Sequence, residues 1–257
     1  IRNSMTANLK TLAPVDIELY KNLDMAEGDI EGYVPYTFEQ SLDSQISVRE
    51  TMERLGFDVD QNFKDILEFD VYATNDIKIE DILGRYYEIA KKQFPQLAFD
   101  SAETFMRESD YNRLAEVYDL KPVTLEDDEY VIVSDFDSWT TIRNDGLKTN
   151  PVIHLLGKDY YPKYDECING FLHISSNHIN IGFFVVPDEA VDDTIRQQGI
   201  LLANYNASSK EGKQEIESMI METEKSSYAP NTRINASTKI SIYEGSVGLG
   251  AMITFIG

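Results

Sequence analysis

The sequence predicts an α+β fold, in which helices pack on a mixed or mainly antiparallel sheet and the chain divides into two lobes. Three observations carry that prediction. Apolar spacing alternates between strand-like and helix-like periods, with no regular strand–helix repeat of the kind that builds a parallel α/β sheet. Hydrophobic residues make up 42% of the 257 positions, 15 Tyr and 12 Phe among them, enough to fill a sizeable core. No internal repeat of about 20 to 50 residues is present, which excludes a solenoid or propeller.

The elements follow in chain order. "MTANLKTLAPVDIELYKN" opens with a short helix stopped near Pro14. A strand then runs from Val15 to Tyr20, with Ile17 and Leu19 on one face and Asp16 and Glu18 on the other. The Gly- and acid-rich "MAEGDIEGYVPYT" is a loop. "SVRETMERLG" has a helix signature: Ser47 and Glu50 at capping-box spacing, Val48, Met52 and Leu55 on one face, Gly56 at the stop. "DILEFDVYATN" is a strand, and "KIEDILGRYYEIAKKQFP" a helix or helix pair ended by Pro95.

The clearest helix is "ESDYNRLAEVYDLKP", with Ser109 as N-cap, Tyr111, Leu114, Ala115 and Tyr118 along one stripe, and Pro122 closing it. "EYVIVSDF" and "PVIHLLG" are β-rich, with Asp145–Gly146 in the turn region between them. "FLHISSNHINIGFFVVP" has the pattern of a hairpin turning at Ser175 to Asn177. "PDEAVDDTIRQQ" has that of a helix begun by Pro187. "GILLANYN" is a strand, "SSKEGKQEIESMIMETEK" a helix with Ile216, Met219 and Ile220 inward, and "TKISIYEG" a last strand. A boundary near Gln93 to Phe99 separates an acidic lobe, residues 1–95, from a β-rich lobe, residues 96–246.

Charge narrows the function classes. The chain carries 45 Asp and Glu against 23 Lys and Arg, a net charge of −22. The imbalance sits in the first half: residues 1–130 hold 29 acids and 13 bases, the remainder 16 and 10. Such a field repels phosphate backbones, which argues against nucleic-acid binding, and it draws cations and cationic peptides. Cys167 is the single cysteine, so neither an intrachain disulfide nor a cysteine zinc site can form.

Motifs for catalysis are missing. Asp58, Asp60 and Asn62 match the start of a calcium loop, but Phe63 occupies the position that needs Gly and Phe69 the one that needs a bidentate Glu. His173 and His178 stand five apart, off a shared helical face, and with His154 they are read as partly buried structural residues. G-x-S-x-G, the phosphate-cradling loop and the dinucleotide fingerprint are all absent from the sequence. Carboxylate pairs such as Asp135 and Asp137 carry no signal in so acidic a chain. The reading is therefore a non-enzyme with no cofactor and no metal.

Two stretches combine acids with aromatic rings: "LEDDEY" at Leu125 to Tyr130 and "GKDYYPKYDE" at Gly157 to Glu166. Asp127, Asp128, Asp159, Tyr160, Tyr161 and Asp165 are the candidate peptide-facing residues, since carboxylates with neighbouring aromatic rings suit cationic side chains.

The phrases "ESDYNRLAEVYDLKPVTLEDDEYVIVSDF", "NIGFFVVPDE", "LLANY" and "ISIYEGSVGLGAMITFIG" occur in an order that resembles the large extracellular loop of Bce-type ABC transporter permeases. Those are FtsX-like membrane subunits of bacitracin and lantibiotic (nisin-type) resistance in Gram-positive bacteria. The resemblance spans residues 100–257 and is loose over residues 1–99. It implies an extracellular domain between two transmembrane helices at the cell membrane. The uncharged run Val247 to Gly257 would then be the stump of one of those helices, being too short to cross about 30 Å of hydrocarbon by itself. It also implies a separate ATPase subunit, a sensor histidine kinase partner, and as ligand a cationic antimicrobial peptide or an undecaprenyl-pyrophosphate lipid. The alternative it leaves open is a protein-docking domain of an FtsX-like permease with a lipoprotein-export or cell-wall-regulatory role.

Overall fold

A computed structural model describes residues 11–22, 46–95, 102–175, 177–226 and 234–243. The loop "MAEGDIEGYVPYT", most of the opening helix, the hairpin turn at Ser176 and the apolar run 247–257 lie outside the described residues. The fold class is α+β, with mixed, mostly antiparallel strand pairing and packed helices among the described residues. Two compact units divide the chain. Unit 1 takes residues 1–70, 174–176 and 197–257; unit 2 takes residues 71–173 and 177–196. Residue 95, near which a boundary was expected, falls inside unit 2 of this division. The N-terminal segment is completed by strands and a helix from later in the chain, so unit 1 is built from sequence-distant pieces while unit 2 is nearly continuous.

Unit 1 orders its strands β2 (Phe63–Lys78), β8, β1, β9. β1 (Ile17–Asn22) runs antiparallel to β8 (Arg196–Tyr205), from Ile17 opposite Ala203 to Asn22 opposite Gln198, and antiparallel to β9 (Asn235–Thr238). Being paired on both sides, β1 buries more than its apolar face. Glu18 and Lys21 are buried with Ile17 and Leu19, and each is committed: Glu18 accepts from Ile174 N at 2.9 Å, and Lys21 Nζ donates to Thr51 Oγ1 at 3.0 Å.

Helix α1 (Val48–Arg54) starts as its cap residue dictates, with Ser47 Oγ accepting from Glu50 N at 3.1 Å. Val48 and Met52 from α1, Val59 from the short α2 (Val59–Asn62) and Leu201 from β8 pack into one core. Ile216 and Ile220 from α7 (Lys210–Ser226) complete it. Met219 departs from expectation, since it is exposed on the other side of α7. The last strand ends at Thr238, and the following residues are helical, leaving Ile240 and Tyr243 exposed.

Unit 2 orders its strands β5-β6-β4-β7-β3-β2. β2 (Phe63–Lys78) gives its second half to this unit and pairs antiparallel with β3 (Ala102–Arg107). β7 (Phe183–Val186) lies parallel to β3 and antiparallel to β4 (Glu129–Val133). β6 (Lys158–Pro162) is parallel to β4 and forms a hairpin with β5 (Ile153–Leu155). Leu156 and Gly157 join that hairpin with φ of 46° and 88°, the left-handed pair that matches strand twist in a two-residue turn. The expected helix pair is α3 (Ile79–Leu83) and α4 (Tyr87–Gln93), joined by a 3₁₀ turn.

Three local expectations are corrected here. Residues 137–147 form a helix, α6 (Asp137–Leu147), and Asp145–Gly146 lies inside it instead of in a turn. Gly146 is required there because a Cβ would sit 2.4 Å from Ile82 O, so the glycine lets α6 approach α3. Of the expected hairpin at 171–187, the described residues form only β7, because β7 finds its partners in β3 and β4, and Asn180 before it spends its polar groups on Asp135, Gly170 and Val133. The expected helix after Pro187 is two 3₁₀ turns, Asp188–Ala190 and Asp193–Ile195. Asp188 acts on another element: its Oδ1 accepts from Ser109 N at 3.0 Å. It thereby supplies a partner at the N-terminus of α5 (Glu108–Tyr118), where Ser109 was the expected cap.

Candidate functional site

The two acid-and-aromatic stretches, about thirty residues apart in sequence, meet in unit 2 because β6 lies beside β4, with Glu129 opposite Tyr161. Tyr161 N donates to Asp128 O at 2.8 Å and Lys158 Nζ to Asp127 O at 2.6 Å, which ties the turn before β4 to β6. Asp127 and Asp128 are exposed on that turn. Strand alternation sends Asp159 and Tyr161 outward, Tyr161 being 41% exposed, and turns Tyr160 inward, where it is 2% exposed in the core with Tyr130 and Phe184. Tyr160 is therefore corrected from a surface residue to a core one, and burial raises its hydroxyl pKa. Asp165 is exposed in the bend beyond β6, next to the exposed Tyr164.

The face already holds partners for two of its acids. Lys163 Nζ lies 2.6 Å from Glu129 Oε2, and His154 Nδ1 lies 2.8 Å from Asp159 Oδ1. A backbone hydrogen bond from Glu126 N, and then the Lys163 ammonium, hold the Glu129 carboxyl below its usual range. Glu108 behaves in the opposite way. Burial, opposed by the Leu125 N–H it accepts from at 3.3 Å, raises its carboxyl. His154 is 69% exposed at its side chain, which corrects its expected half-buried structural role; His178 is 49% exposed.

The structure also assembles polar clusters that residue spacing does not reveal. Asp135, with its side chain 1% exposed, accepts from Asn180 N at 2.7 Å and pairs with His178 Nδ1 at 2.9 Å. Asn180 Nδ2 donates to Gly170 O at 2.8 Å and to Val133 O at 3.2 Å, and Ser134 Oγ donates to Asn180 O at 2.8 Å. This knot fixes the segment after β6 to the end of β4. Burial pushes the Asp135 carboxyl up against the opposing effect of these donors.

The second cluster is the ion pair of Arg143 on α6 with Glu103 on β3, at 2.8 Å and with both side chains buried. Glu103 Oε1 and Arg143 Nη1 have no hydrogen-bond partner among the described residues. Beside it, burial pushes the Cys167 thiol up to about 11, so at neutral pH it is a protonated and poor nucleophile. In the sequence Asp135 in "SDF" is indistinguishable from 44 other acids, and nothing there links it to His178 or Cys167 to Arg143 and Glu103.

The acid trio that mimics a calcium loop also has a structural account. Asp58 caps α2 by accepting from Gln61 N at 2.9 Å, and Asp60 pairs with Arg49 at 2.7 Å. Among the described residues, no group of three or more His, Cys, Asp and Glu is placed to hold a metal ion, and no helix is long and apolar enough to cross a membrane.

No family model and no curated protein matches this chain. A solved structure, "Putative Lipoprotein from Bacillus anthracis", is similar at 10% identity over 87% of this chain and 97% of that one, with a TM-score of 0.41. Similarity at that level lends no argument for fold or function.

Proposed function

We propose that this chain is a non-catalytic extracellular recognition domain of a Bce-type permease, and that it meets cationic antimicrobial peptides on the outer face of β4 and β6. The observation that carries this reading is the meeting of "LEDDEY" and "GKDYYPKYDE" through the β4–β6 pairing, which sets Asp127, Asp128, Asp159 and Tyr161 on adjoining exposed positions. Carboxylates beside an exposed tyrosine ring suit ammonium and guanidinium groups. A net charge of −22 gathers such ligands from solution, within a screening length of about 8 to 10 Å in physiological salt. The same field opposes a pyrophosphate headgroup, so the peptide is favoured over the free lipid. In the parent complex, ATP hydrolysis and signalling belong to the separate ATPase subunit and the histidine kinase.

The test is calorimetric titration of the domain with nisin and with bacitracin at low and physiological salt. The comparison is a variant carrying Asp127→Asn, Asp128→Asn, Asp159→Asn and Asp165→Asn. The reading expects measurable affinity that weakens at least tenfold in the variant and declines with salt. Equal affinity of the two proteins at low salt discards it.

A further inference from the structure

The polar knot below β4 contains a dipeptide that neither the fold nor the proposed function uses. Asn169–Gly170 is the chain's single Asn-Gly. The residue before it is pinned, with Ile168 N donating to Ile132 O at 2.8 Å and Ile168 O accepting from Ser134 N at 2.9 Å. The residue after the peptide bond is pinned as well, because Gly170 O accepts from Asn180 Nδ2 at 2.8 Å. Gly170 cannot be exchanged for a larger residue without movement, since a Cβ there would sit 2.8 Å from Val133 Cγ1. Between these fixed points two groups are left over. Among the described residues, the exposed Asn169 side chain makes no hydrogen bond and the N–H of the buried Gly170 has no acceptor.

An exposed carboxamide next to an uncommitted backbone N–H with no side chain on the following residue supplies the two reacting groups of intramolecular amide attack. We infer that Asn169 is a self-modification site, where the chain converts its own asparagine to aspartate and isoaspartate without any enzyme. Gly170 N, on losing its proton, attacks Asn169 Cγ. The new C–N bond closes a succinimide ring as the Cγ–Nδ2 bond breaks, and the nitrogen leaves as ammonia after taking up a proton from solvent. Water then opens the ring at either carbonyl, giving aspartate or isoaspartate. No oxidant or co-reactant beyond water takes part.

Both products add a negative charge beside Cys167 and Gly170, and the isoaspartate also adds a methylene to the backbone. The distance between the pinned Ile168 and the pinned Gly170 then no longer fits both sets of hydrogen bonds. One set must open: either Ser134 N to Ile168 O, or Asn180 Nδ2 to Gly170 O. The second tie belongs to the cluster that holds Asp135, so the modification loosens the whole segment under β4.

The test incubates the purified, folded chain in mildly alkaline buffer at physiological temperature and follows Asn169 by tandem mass spectrometry. The chain unfolded in guanidinium and the Asn169→Gln variant run in parallel. The expected result is amide-to-acid conversion at Asn169 in the folded chain within tenfold of the unfolded rate, faster at higher pH, with Asn177 and Asn180 of the same region unchanged and no conversion at the Gln variant's position 169. Conversion more than tenfold slower in the folded chain, or absent, overturns the proposal. Hydrogen exchange on the isoaspartate-enriched fraction reads the consequence. Ser134 N–H or the Asn180 region loses protection, and full retention of both overturns the loosening.

Discussion

The carboxylates of unit 2 fall into two populations. Those of the β4–β6 face, Asp127, Asp128, Asp159 and Asp165, project into water on a turn, a strand and a bend. Asp135, just beyond β4, and Glu103, on β3, keep only 1% and 2% of their side chains exposed, each matched to a donor or a cation. Water solvates the first group, so those charges contribute to long-range attraction and little to folding. The second group has exchanged water for specific partners, and removing a partner leaves a charge that nothing screens. Net charge alone therefore describes the outer surface, while the fold depends on a few acids that an inventory of charge cannot single out.

The contrast is broken most forcefully at the buried pair. Arg143→Ala leaves Glu103 uncompensated and is expected to destabilise the domain by about 3–5 kcal/mol in a denaturant melt. A double substitution, Arg143→Met with Glu103→Leu, is expected to recover much of that loss, because it removes both desolvated charges together. A loss in the double variant as large as in the single one would mean that packing, not charge, dominates the position.

Next in size is Asp135→Ala, which strands Asn180 N and the His178 ring and should cost about 1–3 kcal/mol. The acid also gives a pH signature. Its folded-state pKa is raised, so the folded protein holds the Asp135 proton at pH values where the unfolded chain has already released it. The contribution is fully present below the ordinary aspartate range and is lost as pH rises through the raised value. Asp135→Asn should flatten that part of the stability–pH curve, and denaturant midpoints measured across acid pH check it.

Glu129 gives the opposite slope, smaller because the carboxyl is partly exposed. Its pKa is lowered, so its contribution is present above the ordinary glutamate range and is lost as pH falls through the lowered value. Lys163→Met should remove part of that slope. The smallest effect belongs to the four exposed aspartates. Changing Asp127, Asp128, Asp159 and Asp165 to Asn should alter stability by no more than about 0.5 kcal/mol per site. A larger loss would show that the face is structural and not held available for a partner.

Much of this architecture was legible because it rests on local rules. The Ser47 cap, the β1 and β8 strands, the α5 stripe and the inward Ile216 and Ile220 each follow from spacing and side-chain chemistry within one segment. The misread segments are those whose state is decided elsewhere. Gly146 reads as a turn until Ile82 is seen against it, and Pro187 to Gln198 reads as a helix until Asp188 is seen at the N-terminus of α5. Alternation cannot tell an outward Tyr161 from an inward Tyr160 without knowing which side of the strand the core occupies, and both readings fit "KDYYP" equally. The Asp135 knot draws on residues 133, 134, 170, 178 and 180, a set that no sequence motif links.

The pairing of β1 with β8 and β9 also fixes an order of events on the ribosome. Strand Ile17–Asn22 emerges early and must wait for Arg196–Tyr205 and Asn235–Thr238 before its edges are covered. Unit 2 closes with residue 196, while the tail of unit 1 is still being synthesised. Vectorial synthesis thus completes unit 2 before the pairing partners of the first described strand have all been made, and until then the edges of Ile17–Asn22 lack their cover.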